Sequence, residues 1–316
     1  MEDYPQSLGE LESRFSTEAA CLEYLAQLRW PNGFCCPRCQ GSRAWLTRRS
    51  LRTCVACGHE TSPIAGTIFH RTHTPLTVWF RTIWWLTGQK AGASALGLKR
   101  LLGLRSYQTA WTCLHKLRRA MVRPGRDALT GRVEVDETFV GGVEPGQGKR
   151  HIGKKALVLV ACEVRRRAIG RIRLARISAS TKEAIVPVVR GLVAPGSTLV
   201  TDGLPSYAGL GPFGYGHEVR VIQGSGSEGH ELLPRVHRVA SLLKRWLLGT
   251  HQGAVRREYL DYYLDEFTFR FNRRTSRHPG QLFRRLLEQA VVIQPTTYTA
   301  IRKGLWRAKR RGGHKP

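Results

Sequence analysis

The chain predicts an α/β core built on a mixed five-stranded sheet, preceded by a cysteine ribbon and a small all-helical region. Three observations carry this prediction. Two CxxC pairs stand close together near the N-terminus. The stretch after them repeats apolar residues at helical spacing. From Arg132 onward, β-branched runs of strand length alternate with helical patterns.

Composition divides the chain into an N-terminal helical segment at 1–32, a ribbon at 33–73, a helical region at 74–125, a core at 130–290 and a basic tail at 291–316. Within the first, residues 17–29 read as a short amphipathic helix. Leu22, Leu25 and Leu28 mark its apolar side, Ser16 or Thr17 supplies the N-cap, and Pro31, Asn32 and Gly33 end it.

The ribbon holds Cys36-Pro-Arg-Cys39 and Cys54-Val-Ala-Cys57, with 14 residues between the pairs. Two knuckles at this separation offer four thiolates to one tetrahedral Zn²⁺. Metal binding then supplies folding energy that so small a segment lacks in its own core. Gly58 permits the tight turn after the second knuckle. Cys35 adjoins Cys36, so the register has two solutions, and the CxxC spacing favours Cys36. Cys21, Cys113 and Cys162 fall in helix or strand patterns and read as buried thiols.

In the helical region, Leu76, Trp79, Phe80, Ile83, Trp84 and Leu86 recur at helical spacing after Pro75. A second helix spans about 94–102 and stops at Gly103, and a third spans about 106–121. Gln108 and Thr109 near the start of the third helix suit base edges, while Lys116, Arg118 and Arg119 suit phosphates, the pattern of a recognition helix in a helix-turn-helix. The alternative is an ordinary helical hairpin with a solvated basic face.

The core begins with runs at 133–140, 156–164 and 170–178, separated first by a Gly/Lys loop at 141–155. A helix follows at 181–193, then short strands at 197–202 and 218–222, and the remainder is helical. This is the element order of an RNase H-like fold. The Gly- and Pro-rich stretch 203–216 leaves room for a short helix only.

Net charge is +28, from 51 Lys plus Arg against 23 Asp plus Glu, and the excess spans most of the chain. Such a balance points to a polyanionic partner, first of all a phosphate backbone. A ribosomal-type or membrane-surface protein is the alternative. No apolar run reaches the roughly 18 residues that a membrane span needs. The polar N-terminus lacks the pattern of a secretion signal, so a cytoplasmic protein is expected, and with it metal ligation in preference to disulfides.

In a chain so poor in acids, their placement matters. Asp136 sits mid-strand in Val133-Glu-Val-Asp-Glu-Thr-Phe-Val140. Glu134 shares its face and Glu137 takes the other. Asp202 ends the run Thr198-Leu-Val-Thr-Asp202. Carboxylates on two adjacent strands can hold two divalent cations, Mg²⁺ or Mn²⁺, that activate a nucleophile and stabilise a leaving oxygen. A third ligand is sought on a later helix. His237 lies 35 residues past Asp202, and Lys244 follows it by seven residues, on nearly the same helix face. Glu266, 64 residues past Asp202, ranks second for this role, and Asp265 and Glu266 could equally pair with Arg270 or Arg273.

Several stretches together resemble DDE-class insertion-sequence transposases, in the ISXO-type branch with an N-terminal zinc ribbon. They are Thr61-Ser-Pro-Ile-Ala-Gly-Thr-Ile-Phe-His70, Tyr107-Gln-Thr-Ala-Trp111 with Leu114-His-Lys-Leu-Arg118, Val135-Asp-Glu-Thr-Phe-Val-Gly-Gly142, Thr201-Asp-Gly203, Leu243-Lys-Arg-Trp-Leu-Leu-Gly-Thr-His251 and Tyr263-Leu-Asp-Glu-Phe-Thr-Phe-Arg-Phe-Asn-Arg-Arg274. The resemblance implies a metal-dependent transferase that binds the terminal inverted repeats of a mobile element. It would cleave double-stranded DNA at the element ends, join the 3′-hydroxyl to target DNA, and act as a homo-oligomer on DNA. Asp136 and Asp202 match the two family aspartates. At the third position His237 stands where Glu or Asn is expected, and imidazole suits Mg²⁺ less well than oxygen does. Lys244, Arg245 and Trp246, with the cations of 302–315, would contact DNA. The rival readings are a catalytically inactive, domesticated DNA-binding regulator and an RNA-acting nuclease of the same fold.

Overall fold

The computed structural model describes residues 4–123, 125–141, 155–166, 168–221, 232–253, 255–276 and 278–304. The interior of the Gly/Lys loop (142–154), Ile222 and the tail from 305 onward lie outside them. The chain divides into two compact units, Met1–Arg123 with Thr275–Pro316, and Pro124–Arg274.

The first unit opens with helices α1 (Leu8–Arg14) and α2 (Glu18–Arg29). Apolar periodicity does not show α1; its signal is a reciprocal cap. The Glu10 N–H donates to Ser7 Oγ at 3.2 Å, and Glu10 Oε2 accepts from the Gln6 N–H at 2.8 Å. Thr17 caps α2 in the same way, accepting from the Ala20 N–H. Strands β1 (Ala44–Leu46), β2 (Arg52–Cys54) and β3 (Glu60–Thr61) form an antiparallel sheet in that order. Arg29 joins α2 to the ribbon by donating to the carbonyls of Ser62, Pro63 and Ala65.

Helices α3 (Leu76–Gly88), α4 (Ala95–Leu101) and α5 (Tyr107–Ala120) follow. Pro75 precedes α3 as its N-cap and offers no side-chain acceptor. Glu18 of α2 substitutes, accepting from the N–H groups of Leu76 and Thr77 at 3.0 and 3.1 Å.

The second unit contains β4 (Arg132–Val140), β5 (Ala156–Arg165), β6 (Ala168–Ile177), α6 (Lys182–Leu192), β7 (Thr198–Thr201) and β8 (Gly216–Val219), closed by α7 (Pro234–His251) and α8 (Leu260–Asn272). The five strands lie in the order β6-β5-β4-β7-β8. The first three pair antiparallel, and β7 and β8 join parallel to β4. This is the RNase H-like arrangement. Residues Pro205–Phe213, between β7 and β8, form a 3-10 helix. It is the short element expected of that Gly- and Pro-rich stretch.

Alternation along β4 separates two layers. Val133 and Val135 join Leu157, Leu159, Ile185, Val189, Leu199 and Tyr207 in one buried core. Glu134 and Asp136 face the opposite side, toward α7, while α8 packs on β6. The chain then returns to the first unit through α9 (Pro279–Ala290) and α10 (Tyr298–Arg302). Phe283 of α9 completes an aromatic cluster with Phe15 and Phe80. Residues 275–290, assigned from sequence to the core at 130–290, therefore belong to the first unit. The strongly apolar face of α9 is what places them there. Among the described residues, no helix is long and apolar enough to cross a membrane.

Candidate metal centres and nucleic-acid interface

The four ribbon sulfurs converge. Cys36, Cys39, Cys54 and Cys57 place their Sγ atoms within 4.8 Å of one another. Cys36 and Cys57 stand 3.7 Å apart, and Cys39 and Cys54 3.6 Å apart. Thiolates bound about 2.3 Å from a tetrahedral zinc stand about 3.8 Å from each other. The donor set and its spacing therefore fit a structural Zn²⁺. Each knuckle closes on a left-handed residue, Gln40 after the first (φ 63°) and Gly58 after the second (φ 67°). Gly41 lets the backbone approach, since a Cβ there would lie 3.3 Å from Cys54 Sγ. Cys35 is exposed and its thiol donates to Gln40 Oε1. It takes no part in the cluster, which resolves the register in favour of Cys36. Cys21, Cys113 and Cys162 are buried thiols, as expected.

The acidic site lies in the second unit. β4 and β7 run parallel, with Glu134 opposite Val200. Continuing that register by two residues brings Asp202 level with Asp136. His237, near the start of α7, holds Nε2 3.8 Å from Asp136 Oδ2. Lys244, two turns further along α7, exerts its charge on the same carboxyl. Burial pushes Asp136 up to about 7, the carboxylates of Glu137 and Asp202 add to the rise, and the Glu137 backbone N–H and the Lys244 ammonium oppose it. Gathered, partly buried carboxylates of this kind form a donor set suited to a hard divalent cation. Among the described residues, no group of three or more His, Cys, Asp or Glu other than the cysteine cluster converges as tightly.

Glu134 sets the height of α7 over β4. It is almost wholly buried, and its carboxylate accepts from the N–H groups of Arg235 and Val236 at 2.8 and 3.1 Å and from Arg235 Nη1 at 2.8 Å. Pro234 opens the helix and Leu233 provides no side-chain cap, so the strand carboxylate satisfies the first-turn donors instead. Glu134 and Arg235 each stand two residues before a site residue, Asp136 and His237. The shared face of Glu134 and Asp136 was visible in the alternation; the capping role was not, because it joins residues 101 apart.

Glu266 is placed differently from a free ligand. It is fully buried, and Arg270 Nε donates to it at 2.9 Å along α8. The structural ion pair, weighed above as its alternative use, is what the structure contains.

Two expected phosphate contacts need correction. Arg118 and Arg119 are buried, at 1% and 3% exposure, so neither offers its charge to a ligand at the surface. Arg118 lies beside His115, with Nη1 3.5 Å from Nδ1. Helical periodicity gave these residues a face but could not say which face the neighbouring helices cover. Lys116 is half-buried, with its ammonium 6.0 Å from the Trp79 ring, and burial lowers its pKa. The start of α5 remains open: Tyr107 and Gln108 are exposed and Thr109 is half-buried. Two exposed cations precede it in the chain, Arg100 in the last turn of α4 and Arg105 just before α5. On α7, Arg245 is exposed, whereas Trp246 packs against Tyr263 and Phe267 with ring centroids 6.4 and 5.7 Å away. Trp246 is half-buried, so one side of its ring packs on α8 while part of it reaches solvent.

The second unit thus combines a five-stranded RNase H-like sheet with one aspartate on its central strand β4 and another just past the end of the neighbouring β7, and the first unit holds a four-cysteine ribbon. Residues 128–272 match the ISXO2-like transposase domain family, and residues 16–60 match the transposase zinc-ribbon domain. The two matched stretches fall in the same order as the cysteine and aspartate motifs read from the sequence. A relative described as an uncharacterized protein in transposable element ISH50 of Halobacterium salinarum is 28% identical, over 88% of this chain and 98% of the relative. Among solved structures, a chain of the simian T-cell lymphotropic virus intasome in complex with PP2A regulatory subunit B56 gamma is 15% identical at a TM-score of 0.32. That match covers 60% of this chain and spans 65% of the other's length. The Mos1 strand transfer complex is 14% identical at a TM-score of 0.25, covering 67% of this chain and 78% of that one.

Proposed function

We propose that this chain is a DNA transposase that cleaves the ends of an insertion sequence and joins them to target DNA. One observation carries the reading: Asp136, Asp202, His237 and Lys244 gather on one sheet and helix, inside the span matched by the ISXO2-like transposase domain. Asp136, Asp202 and His237 would hold two Mg²⁺ or Mn²⁺ ions, which when bound polarise the scissile phosphate, activate the attacking oxygen and stabilise the leaving one. Lys244 offers an ammonium to the phosphate from the same helix face as His237. In the first step water oxygen bonds to phosphorus, the bond to the element's 3′ oxygen breaks, and that oxygen leaves as a hydroxyl. In the second, the 3′-hydroxyl displaces a 3′ oxygen of the target strand, so each P–O bond formed replaces one broken. Neither step requires a Tyr or Ser nucleophile.

DNA binding falls to the ribbon and the helical region, with Gln108 and Thr109 toward base edges and Arg100, Arg105 and Arg245 toward phosphates. The substrate is double-stranded DNA bearing the terminal inverted repeats. Both ends have to be held together, so the acting species is a homo-oligomer on DNA, in the bacterial cytoplasm and nucleoid. One observation favours the rival reading of a non-cleaving regulator: the third ligand position is an imidazole.

The test is metal-dependent cleavage of an end-bearing duplex by wild type, Asp136→Ala and Asp202→Ala. Cleavage that both substitutions abolish supports the transposase. Specific binding without cleavage in any divalent metal supports the regulator, and preference for RNA or hybrid substrates overturns both.

A further inference from the structure

Asp136 sits on β4 and Asp202 just past the end of β7, and nothing in either strand alone determines the gap between them. Asp202 follows the last residue of β7, where the chain leaves the sheet. Its Oδ1 accepts from the Leu204 N–H at 3.1 Å. Gly203 is crowded by Val221, since a Cβ there would lie 2.7 Å from Val221 Cγ1. The next residues are pinned twice. Ser206 Oγ donates to the Ser180 carbonyl at 2.6 Å, and the Tyr207 hydroxyl donates to Glu137 Oε2 at 2.6 Å. The Tyr207 ring is fully buried in the core beneath the sheet, so this hydroxyl cannot move without the 3-10 segment moving too.

Glu137 neighbours Asp136 in sequence, and its backbone N–H donates to Asp136 Oδ1 at 2.8 Å. One short chain of contacts therefore runs from Asp136 through Glu137 and Tyr207 to the loop that carries Asp202. We propose that Glu137 and Tyr207 are a positioning pair that sets the separation of the two aspartates and so the affinity of the site for its divalent cation. Glu137 faces away from Asp136 across the sheet, toward Tyr207, and acts through that hydrogen bond instead of as a ligand. This inference rests on the proposed transposase site.

The test is Mn²⁺ binding to the full chain, followed by the loss of the free-ion electron paramagnetic resonance signal. Wild type is compared with Asp136→Ala, Tyr207→Phe, Glu137→Ala and Glu137→Gln. The folded fraction of each is checked by near-ultraviolet circular dichroism. Second-layer partners of metal ligands typically contribute 10–100-fold to affinity. Tyr207→Phe and Glu137→Ala are expected to weaken the Asp136-dependent binding about tenfold. Glu137→Gln keeps an acceptor for the hydroxyl and should recover part of the loss. Unchanged binding in folded Tyr207→Phe overturns the pair. Loss in Glu137→Gln as deep as in Asp136→Ala also overturns it, because Glu137 would then be a ligand itself. If wild type binds no more Mn²⁺ than Asp136→Ala, the metal site itself fails, and the inference fails with it.

Discussion

His237 Nε2 stands 3.8 Å from Asp136 Oδ2, a contact between the first turn of α7 and the middle of β4. In the proposed site, an imidazole as third ligand would change the metal preference. Two carboxylates favour Mg²⁺, while a nitrogen donor favours a softer ion. Cleavage is therefore expected to be faster in Mn²⁺ than in Mg²⁺, and His237→Glu should narrow the difference by restoring an oxygen donor. His237→Ala should reduce cleavage about tenfold or more if the ring ligates. Full cleavage by His237→Ala would show that the ring does not ligate.

Glu134, itself buried, pairs with half-buried Arg235 and caps a helix. Removing the carboxylate takes the acceptor from Arg235 Nη1 and from two backbone N–H groups, while Arg235 Nη2 keeps the Arg166 carbonyl. Breaking such a pair from one side costs about 3 kcal/mol. Glu134→Ala is expected to lower the unfolding free energy by about that amount in urea titration, and to weaken cleavage at temperatures where the chain is still folded. A cost within measurement error would mean that α7 is held by its apolar face alone.

Zinc should be stoichiometric and confined to the ribbon. One equivalent is expected by elemental analysis of wild type and of Cys35→Ser, and Cys36→Ser should lose it. Stripping the metal with a strong chelator should unfold the ribbon, because its folding energy comes from the ion. Limited proteolysis should then cut between residues 33 and 73 and leave the 124–274 unit intact. Retention of zinc by Cys36→Ser would reopen the register.

Stability should fall in acid through Glu163. Burial by itself would raise this carboxyl, but Arg171 and the backbone N–H groups of Thr130 and Arg171 outweigh it and hold the group below its ordinary value of 4.5. A depressed folded-state pKa contributes stability that is complete above the unfolded value and is lost as pH falls through the folded one. The denaturation midpoint should therefore decline below about pH 4.5, and Glu163→Gln should be less stable at neutral pH with a shallower decline. Parallel pH curves for the two proteins would count against the pair.

Phosphate contact is expected from exposed cations, not buried ones. The double variant Arg100→Ala, Arg105→Ala should keep its fold and reduce the slope of log affinity against log salt by about 1.8, the value for two lost phosphate contacts. Arg118→Ala should lower stability instead and leave the salt slope of the folded fraction unchanged. A fall in slope for Arg118→Ala would contradict its burial.

How far the sequence by itself went depended on how local each signal was. The ribbon needed two short knuckles at the right spacing, so Cys36, Cys39, Cys54 and Cys57 were readable directly. Strand and helix periods were equally local, and they carried the element order, the shared face of Glu134 and Asp136, and the common face of His237 and Lys244. What the tertiary structure decided was burial and long-range pairing. It buried Arg118 and Arg119 beneath their neighbours, packed Trp246 against α8, gave Glu266 to Arg270, and moved residues 275–290 into the first unit. It also joined Glu134 to Arg235 and Glu137 to Tyr207. The physical reason is the same throughout: periodicity says which side chains share a face, but only the packing of distant segments determines whether that face meets solvent, a core or an opposite charge.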